Sequence, residues 1–135
     1  MSYMKTSSNF PKPTEAQLDV LNILWDRGPL TVRQVHEELS RAKPSQYTTT
    51  LKIMQVMADR GLVARDERER SHVYHPRIKR EEAQHQLASD LMNRVFKGSA
   101  RRLLVSALGA KRASMKELDE LRDYIEQYRE RTRKK

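Results

Sequence analysis

Between residues 46 and 55 the chain sets out Gln46, Tyr47, Thr48, Thr49, Lys52 and Gln55. Their amides, hydroxyls and ammonium are the groups that hydrogen-bond base edges and phosphate oxygens at short range. Leu51 also faces outward on a coarse helical projection, where it either suits a thymine methyl or is a core leucine turned the wrong way by the projection. Further on, Arg68 and Arg70 sit two apart, an interval that puts both on one side of an extended strand and suits a pair of phosphate contacts. The adjacent Glu67 and Glu69 admit a surface ion-pair cluster instead. Thr31 and Arg33 complete the set of phosphate candidates.

Other chemistries are poorly served. His72 and His75 are three apart on a strand, so they point to opposite faces and cannot share one ion. Glu81, Glu82 and His85 do share a helical face, but three weak ligands in a charged segment read as solvated surface. No GxSxG, HExxH or phosphate-cradling glycine loop occurs, and the chain has four Gly and no Cys. Thiol nucleophiles, disulfides and thiolate metal cages are excluded, and the expectation is a protein that is no enzyme and takes no metal or cofactor.

The candidate side chains need elements to carry them. Thr14 with Gln17 three residues on is a capping box, followed by Leu18, Leu21, Leu24 and Trp25 at helical spacing, and Arg27-Gly28-Pro29 ends that helix. Thr31 and Gln34 repeat the signature ahead of Val32, Val35 and Leu39, in a short helix that runs through Ser40. After the turn through Pro44, Ser45 is the natural cap of a third helix reaching about Arg60, with Gly61 as its stop. Thr50, Ile53, Met54 and Met57 share its inward face, which leaves Gln46, Tyr47, Thr48, Lys52 and Gln55 outside. The period then shortens toward two over 62–66 and 72–75, separated by a charged turn and closed by Pro76, which predicts a β-hairpin.

Residues 1–13 lack apolar periodicity and read as a flexible lead-in. From Glu81 the pattern is helical again, with Leu87, Leu91, Val95 and Phe96 on one face before Lys97-Gly98. A shorter helix, Arg101 to Leu108, carries Leu103 and Leu104 and stops at Gly109. Ser114 and Glu117 cap a last helix whose Leu118, Leu121, Ile125 and Tyr128 form a coiled-coil seam. At about two heptads it is too short to stand alone, and with little intrachain core left to meet it, a second copy is the simpler partner.

Composition sets the outer bounds. The 135 residues allow roughly one domain, or one small domain with an appended element. Lys and Arg number 27 against 18 Asp and Glu, a formal charge of +9, so an anionic partner is favoured. No apolar run approaches the roughly 20 residues that span a bilayer, and the N-terminus lacks a signal peptide's apolar stretch. The expectation is a cytoplasmic protein without membrane contact.

Helix, helix-turn-helix, strand, basic turn and strand is the order of a winged helix-turn-helix, with the third helix in the roughly 12 Å major groove and the hairpin on the flanking backbone. From about residue 14 to 130 the chain also resembles the penicillinase repressor family, which includes β-lactamase, methicillin-resistance and copper-responsive repressors. The likeness is carried by LDVLNILW at Leu18 to Trp25, TVRQVHEEL at Thr31 to Leu39, YTT at Tyr47 to Thr49, RGLV at Arg60 to Val63, and Val73-Tyr74. It implies a dimeric winged-helix repressor on a palindromic operator. It also implies release by proteolysis at an Asn-Phe pair in antibiotic-responsive members, but the matching positions here are Ser106-Ala107, so an inducing protease would need another bond. The copper-responsive members' cysteine pairs are missing altogether. Leu51 stands where some relatives carry arginine, so the base sequence those relatives read does not transfer.

The sequence therefore predicts a mainly α protein with a small β-hairpin. A flexible segment, 1–13, precedes a winged helix-turn-helix domain, 14–80, and a helical dimerisation domain, 81–135. The function expected is sequence-specific repression by a homodimer on double-stranded DNA, read by the helix at about 45–60 and steadied by the wing at about 62–76. Dimerisation falls to Leu103, Leu104, Leu118, Leu121, Ile125 and Tyr128. Two alternatives are a protein-interaction module with incidental basic charge and a non-specific architectural DNA binder.

Overall fold

The computed structural model describes residues 10–68 and 70–134. The chain divides into two compact units that meet between Asp90 and Leu91. The first unit is built by its caps. Helix α1, Glu15–Arg27, starts where the Gln17 N–H donates to Thr14 Oγ1 at 3.2 Å and the Thr14 N–H donates to Gln17 Oε1 at 3.0 Å. It ends at Gly28, whose φ of 89° a side chain would resist. The same reciprocal pair opens α2, Val32–Ala42, with Gln34 N–H to Thr31 Oγ1 at 3.2 Å and Thr31 N–H to Gln34 Oε1 at 2.9 Å. These bonds satisfy donors that the first helical turn otherwise leaves open.

Helix α3, Tyr47–Asp59, has its cap one residue later than the expected cap at Ser45. The Gln46 carbonyl, rather than that of Ser45, accepts the first N–H groups, those of Thr49 at 3.1 Å and Thr50 at 3.3 Å. Gln46 is thus the cap residue, and its side chain makes no capping hydrogen bond. Beyond Gly61 the expected hairpin forms as β2, Val63–Asp66, against β3, Val73–Pro76, with Arg65 opposite Tyr74. A third strand, β1 at Leu30–Thr31, pairs with β3 to give the order β1-β3-β2. Two residues show no alternation, so periodicity had nothing with which to find β1.

One apolar core joins these pieces. Val20, Leu21 and Leu24 of α1, Val35 of α2, Met54 and Met57 of α3, and Leu62, Val63, Tyr74 and Ile78 are all buried. Each fully buried large side chain contributes roughly 1.5 to 3 kcal/mol of transfer free energy. Thr50 joins the inward face of α3 as expected, whereas Ile53 is only half-buried. Trp25 closes the edge, donating from Nε1 to the Ile78 carbonyl at 3.0 Å. Residues 10–13 are part of this unit and not of a flexible lead-in. Phe10 packs on the core, its carbonyl accepts from Gln86 Nε2 at 2.8 Å, and Pro13 is buried. Residues 1–9 lie outside the described residues.

Helix α4, Arg80–Val95, is entered with the Lys79 N–H donating to Glu82 Oε1 at 3.0 Å. It runs across the boundary between the units. In the second unit Lys97 and Gly98, at φ 53° and 75°, turn the chain into α5, Ala100–Ala110. Gly109 lies in the last turn of α5 and does not end it, since the helix continues to Ala110. Ser114 Oγ then accepts from the Glu117 N–H at 3.0 Å to cap α6, Met115–Arg133. Neither α5 nor α6 buries a residue within this chain. No described helix is long and apolar enough to cross a membrane.

Candidate nucleic-acid interface

Helix α3 has two unlike sides. Thr50, Met54 and Met57 are sealed in the core, while Thr48, Thr49, Lys52 and Gln55 are exposed, with Gln46 exposed just ahead of them. A 3.6-residue period makes this split unavoidable, because the polar positions fall between the apolar ones. Two of the outward assignments need correction. Leu51 is half-buried against the core and Tyr47 is half-buried as well. The apolar stripe is wider than the projection allowed, because the core reaches round to the flank of α3 that faces α2 and the hairpin.

Tyr47 is held by α2. The Arg33 guanidinium lies 4.9 Å from its ring centroid, and the His36 ring meets it edge-on at 5.6 Å. His36 in turn shares hydrogen bonds with Thr50 Oγ1 at 3.0 Å through Nδ1 and with Ser40 Oγ at 3.3 Å through Nε2. This chain of contacts fixes the first turn of α3 against α2. His36 went unnoticed in the sequence, where it reads as one polar residue beside the Val35–Leu39 face. Its spacing to Thr50 exists only across the turn.

A groove of about 490 Å³ separates this end of α3 from the hairpin, and Thr31, Arg33, Tyr47, Leu51, Gln55, Arg70 and His72 all line it. Arg65 lines it too and was not foreseen. The available signal was an arginine two residues after Val63, where period-two alternation calls for an apolar partner. Arg65 bonds Tyr74 across the strand pair and Glu67 at 2.7 Å, and both hold its guanidinium above the ordinary arginine value. The Thr31 hydroxyl is already engaged, accepting from the Gln34 N–H.

Arg68 and Arg70 do not project together from an extended strand, since β2 stops at Asp66. Arg68 folds back on Asp66, with Nη2 to Oδ2 at 2.6 Å and Nε to Oδ1 at 3.0 Å. Side-chain and backbone hydrogen bonds from Arg68 pull the Asp66 carboxyl down from 3.8 to about 2. Arg70 is exposed at the groove mouth.

In the second unit Leu104 and Leu108 of α5 and Leu118, Leu121 and Ile125 of α6 line an open groove of about 420 Å³. Leu103 is half-buried, and Tyr128 is 57% exposed beside Tyr124 and Arg131. Ser106 and Ala107 are exposed within α5. Among the described residues no cluster of three or more His, Asp or Glu could hold a metal ion.

Two helices crossing at a tight turn, the second with its outer face free, and a hairpin beside it in a three-stranded sheet define a winged helix-turn-helix protein. The penicillinase repressor family model matches residues 13–127, and the chain belongs to that family. It is 43% identical over 58 residues to the transcriptional regulator BlaI of Mycobacterium tuberculosis, a match spanning 42% of each protein. It is 22% identical to the penicillinase repressor of Bacillus licheniformis over 90% of this chain and 94% of that one. The solution structure of the DNA-binding domain of the repressor BlaI aligns with a TM-score of 0.49 at 22% identity, covering 54% of this chain and 89% of that one.

Proposed function

We propose that this protein is a transcriptional repressor that binds a palindromic operator as a homodimer. In this reading the unit that runs through Asp90 is the DNA-binding domain and the unit from Leu91 the dimerisation domain. Helix α3 enters the major groove, with Thr48, Thr49 and Gln55 toward base edges, Lys52 toward an adjacent phosphate, and Tyr47 and Gln46 at the groove entrance. The hairpin and the start of α2 meet the backbone through Arg33, Arg65, Arg68, Arg70 and the Thr31 region.

The observation that carries this reading is the two-sided α3, packed through Thr50, Met54 and Met57 and polar on the face left free. The formal charge of +9 supplies the attraction to phosphate. The unburied apolar surface of α5 and α6 favours a second copy, because an apolar patch that its own chain leaves open is a site for association. A two-fold dimer then presents two α3 helices to half-sites about one helical turn of DNA apart.

Selection of bound sequences from random duplexes at two salt concentrations tests it. An inverted repeat, enriched at both, is the expected result. Binding with a steep salt slope and no enrichment would identify a non-specific binder, and weak binding at either salt would point to a protein-interaction module.

A further inference from the structure

Arg33 is held unlike the arginines of the wing. Arg65 and Arg68 pair with the carboxylates of Glu67 and Asp66 at 2.7 and 2.6 Å, whereas among the described residues no carboxylate pairs with Arg33. It is exposed in the first turn of α2, just after the Thr31 cap, and that turn contains no acid. A helix dipole disfavours a cation at this end and favours an anion. The placement is therefore unfavourable in the free protein and is relieved by an incoming phosphate.

What holds Arg33 is a ring. Its guanidinium lies 4.9 Å from the centroid of Tyr47, over the ring face. Tyr47 is itself braced, because the His36 ring meets it at 5.6 Å with the two planes 81° apart. His36 is fixed in turn by the hydroxyls of Thr50 and Ser40, one at each ring nitrogen. Thr50 is sealed in the core, so the support runs from the interior of the domain out to the guanidinium. An aromatic face attracts a guanidinium, and contact through the flat of the fork leaves its in-plane N–H groups free for a bidentate grip on phosphate. A side chain restrained in this way also loses less rotamer freedom when it binds. Arg33 and Tyr47 line the same groove beside the hairpin.

We infer that Tyr47 is a positioning residue, whose ring aims Arg33 at a backbone phosphate of the duplex. The inference rests on the proposed repressor reading and deepens it. It gives the Tyr47 hydroxyl no contact with DNA, and so differs from a tyrosine that hydrogen-bonds a base or a phosphate directly.

The test is a double-mutant cycle in the full-length protein, with Arg33→Ala, Tyr47→Leu and the two combined. Tyr47→Phe is the control that keeps the ring and removes the hydroxyl. Binding to the selected operator and to a scrambled duplex is followed by fluorescence anisotropy over a salt series. Arg33→Ala should lower the magnitude of the log K against log salt slope by ~0.9, the loss of one phosphate contact. Tyr47→Leu should reproduce most of that fall, so that its affinity changes roughly threefold less than that of the wild type between 50 and 200 mM salt. The combined variant should match the slope of Arg33→Ala alone, and Tyr47→Phe should match the wild type. The falls should be alike on both duplexes, because a phosphate contact carries no sequence information. Slope losses that add in the combined variant overturn the inference. So does a Tyr47→Phe slope as low as that of Tyr47→Leu, or an effect confined to the operator. If Tyr47→Leu does not fold, NMR of the wild type decides: the ring should move the Arg33 side-chain proton resonances upfield, and ordinary positions overturn the inference. A wild type that selects no inverted repeat fails the repressor reading itself; a wild type that does, with Arg33→Ala and Tyr47→Leu indistinguishable from it in slope, fails this inference alone.

Discussion

Lys52 sits one turn into α3 on its exposed face, flanked by Thr48, Thr49 and Val56 along a shallow groove. Its replacement by alanine should weaken operator binding and lower the magnitude of the salt slope by ~0.9, read by fluorescence anisotropy over a salt series. A slope equal to that of the wild type would take Lys52 out of phosphate contact. At the same scale the Asp66 carboxyl is held near 2 by Arg68. Its folded-state value is depressed, so the stabilisation it lends is complete above its ordinary value of 3.8 and is lost as pH falls from there through about 2. Carboxyl carbon resonances followed by NMR should show Asp66 titrating near 2, and Arg68→Ala should move it back up toward 3.8. Residue types were fully legible in the sequence, yet partners were not. For Arg68 the sequence leaves a phosphate contact and an ion pair with Glu67 or Glu69 both open, and the end of β2 at Asp66 decides for an ion pair, with Asp66 as the partner.

The elements that hold these side chains depend on a few buried groups. Met54 is fully buried on the inward side of α3, and Met54→Ala should destabilise the protein by roughly 2 to 5 kcal/mol through lost burial and a residual cavity. Urea denaturation gives the number, and a loss below about 1 kcal/mol would mean that the core collapses readily around α3. Thr31 holds both the start of α2 and the end of β1, so Thr31→Ala should cost about 0.5 to 2 kcal/mol as a lost cap. Thr31→Ser should recover most of it in the same assay. The caps at Thr14, Thr31 and Ser114 were readable because capping is a local exchange between residues three apart. The start of α3 was misplaced because Ser45 is chemically the better cap, while tertiary packing of Tyr47 between Arg33 and His36 sets where the helix begins.

At the scale of the molecule, α5 and α6 hold apolar side chains that their own chain does not bury, with Met115 at 73% and Val105 at 58% exposure. Such a surface is expected to close against a second copy. Leu121→Glu/Ile125→Glu should therefore shift the protein from dimer to monomer in sedimentation velocity. It should also cut operator affinity while leaving the thermal unfolding of residues 10–90 in place. A double variant that remains dimeric would move the interface off α6.

By itself the sequence determined the order of the elements, the two faces of α3 and the excess of positive charge. Each of these follows from residue type and a short repeat distance, which any local window contains. Only the tertiary structure decided that Leu51 and Tyr47 lean into the core, that Leu30–Thr31 completes the sheet, and that His36 meets both Tyr47 and Thr50. Those outcomes are set by which groups meet across turns and strands, a distance that is not encoded in the separation of residues along the chain.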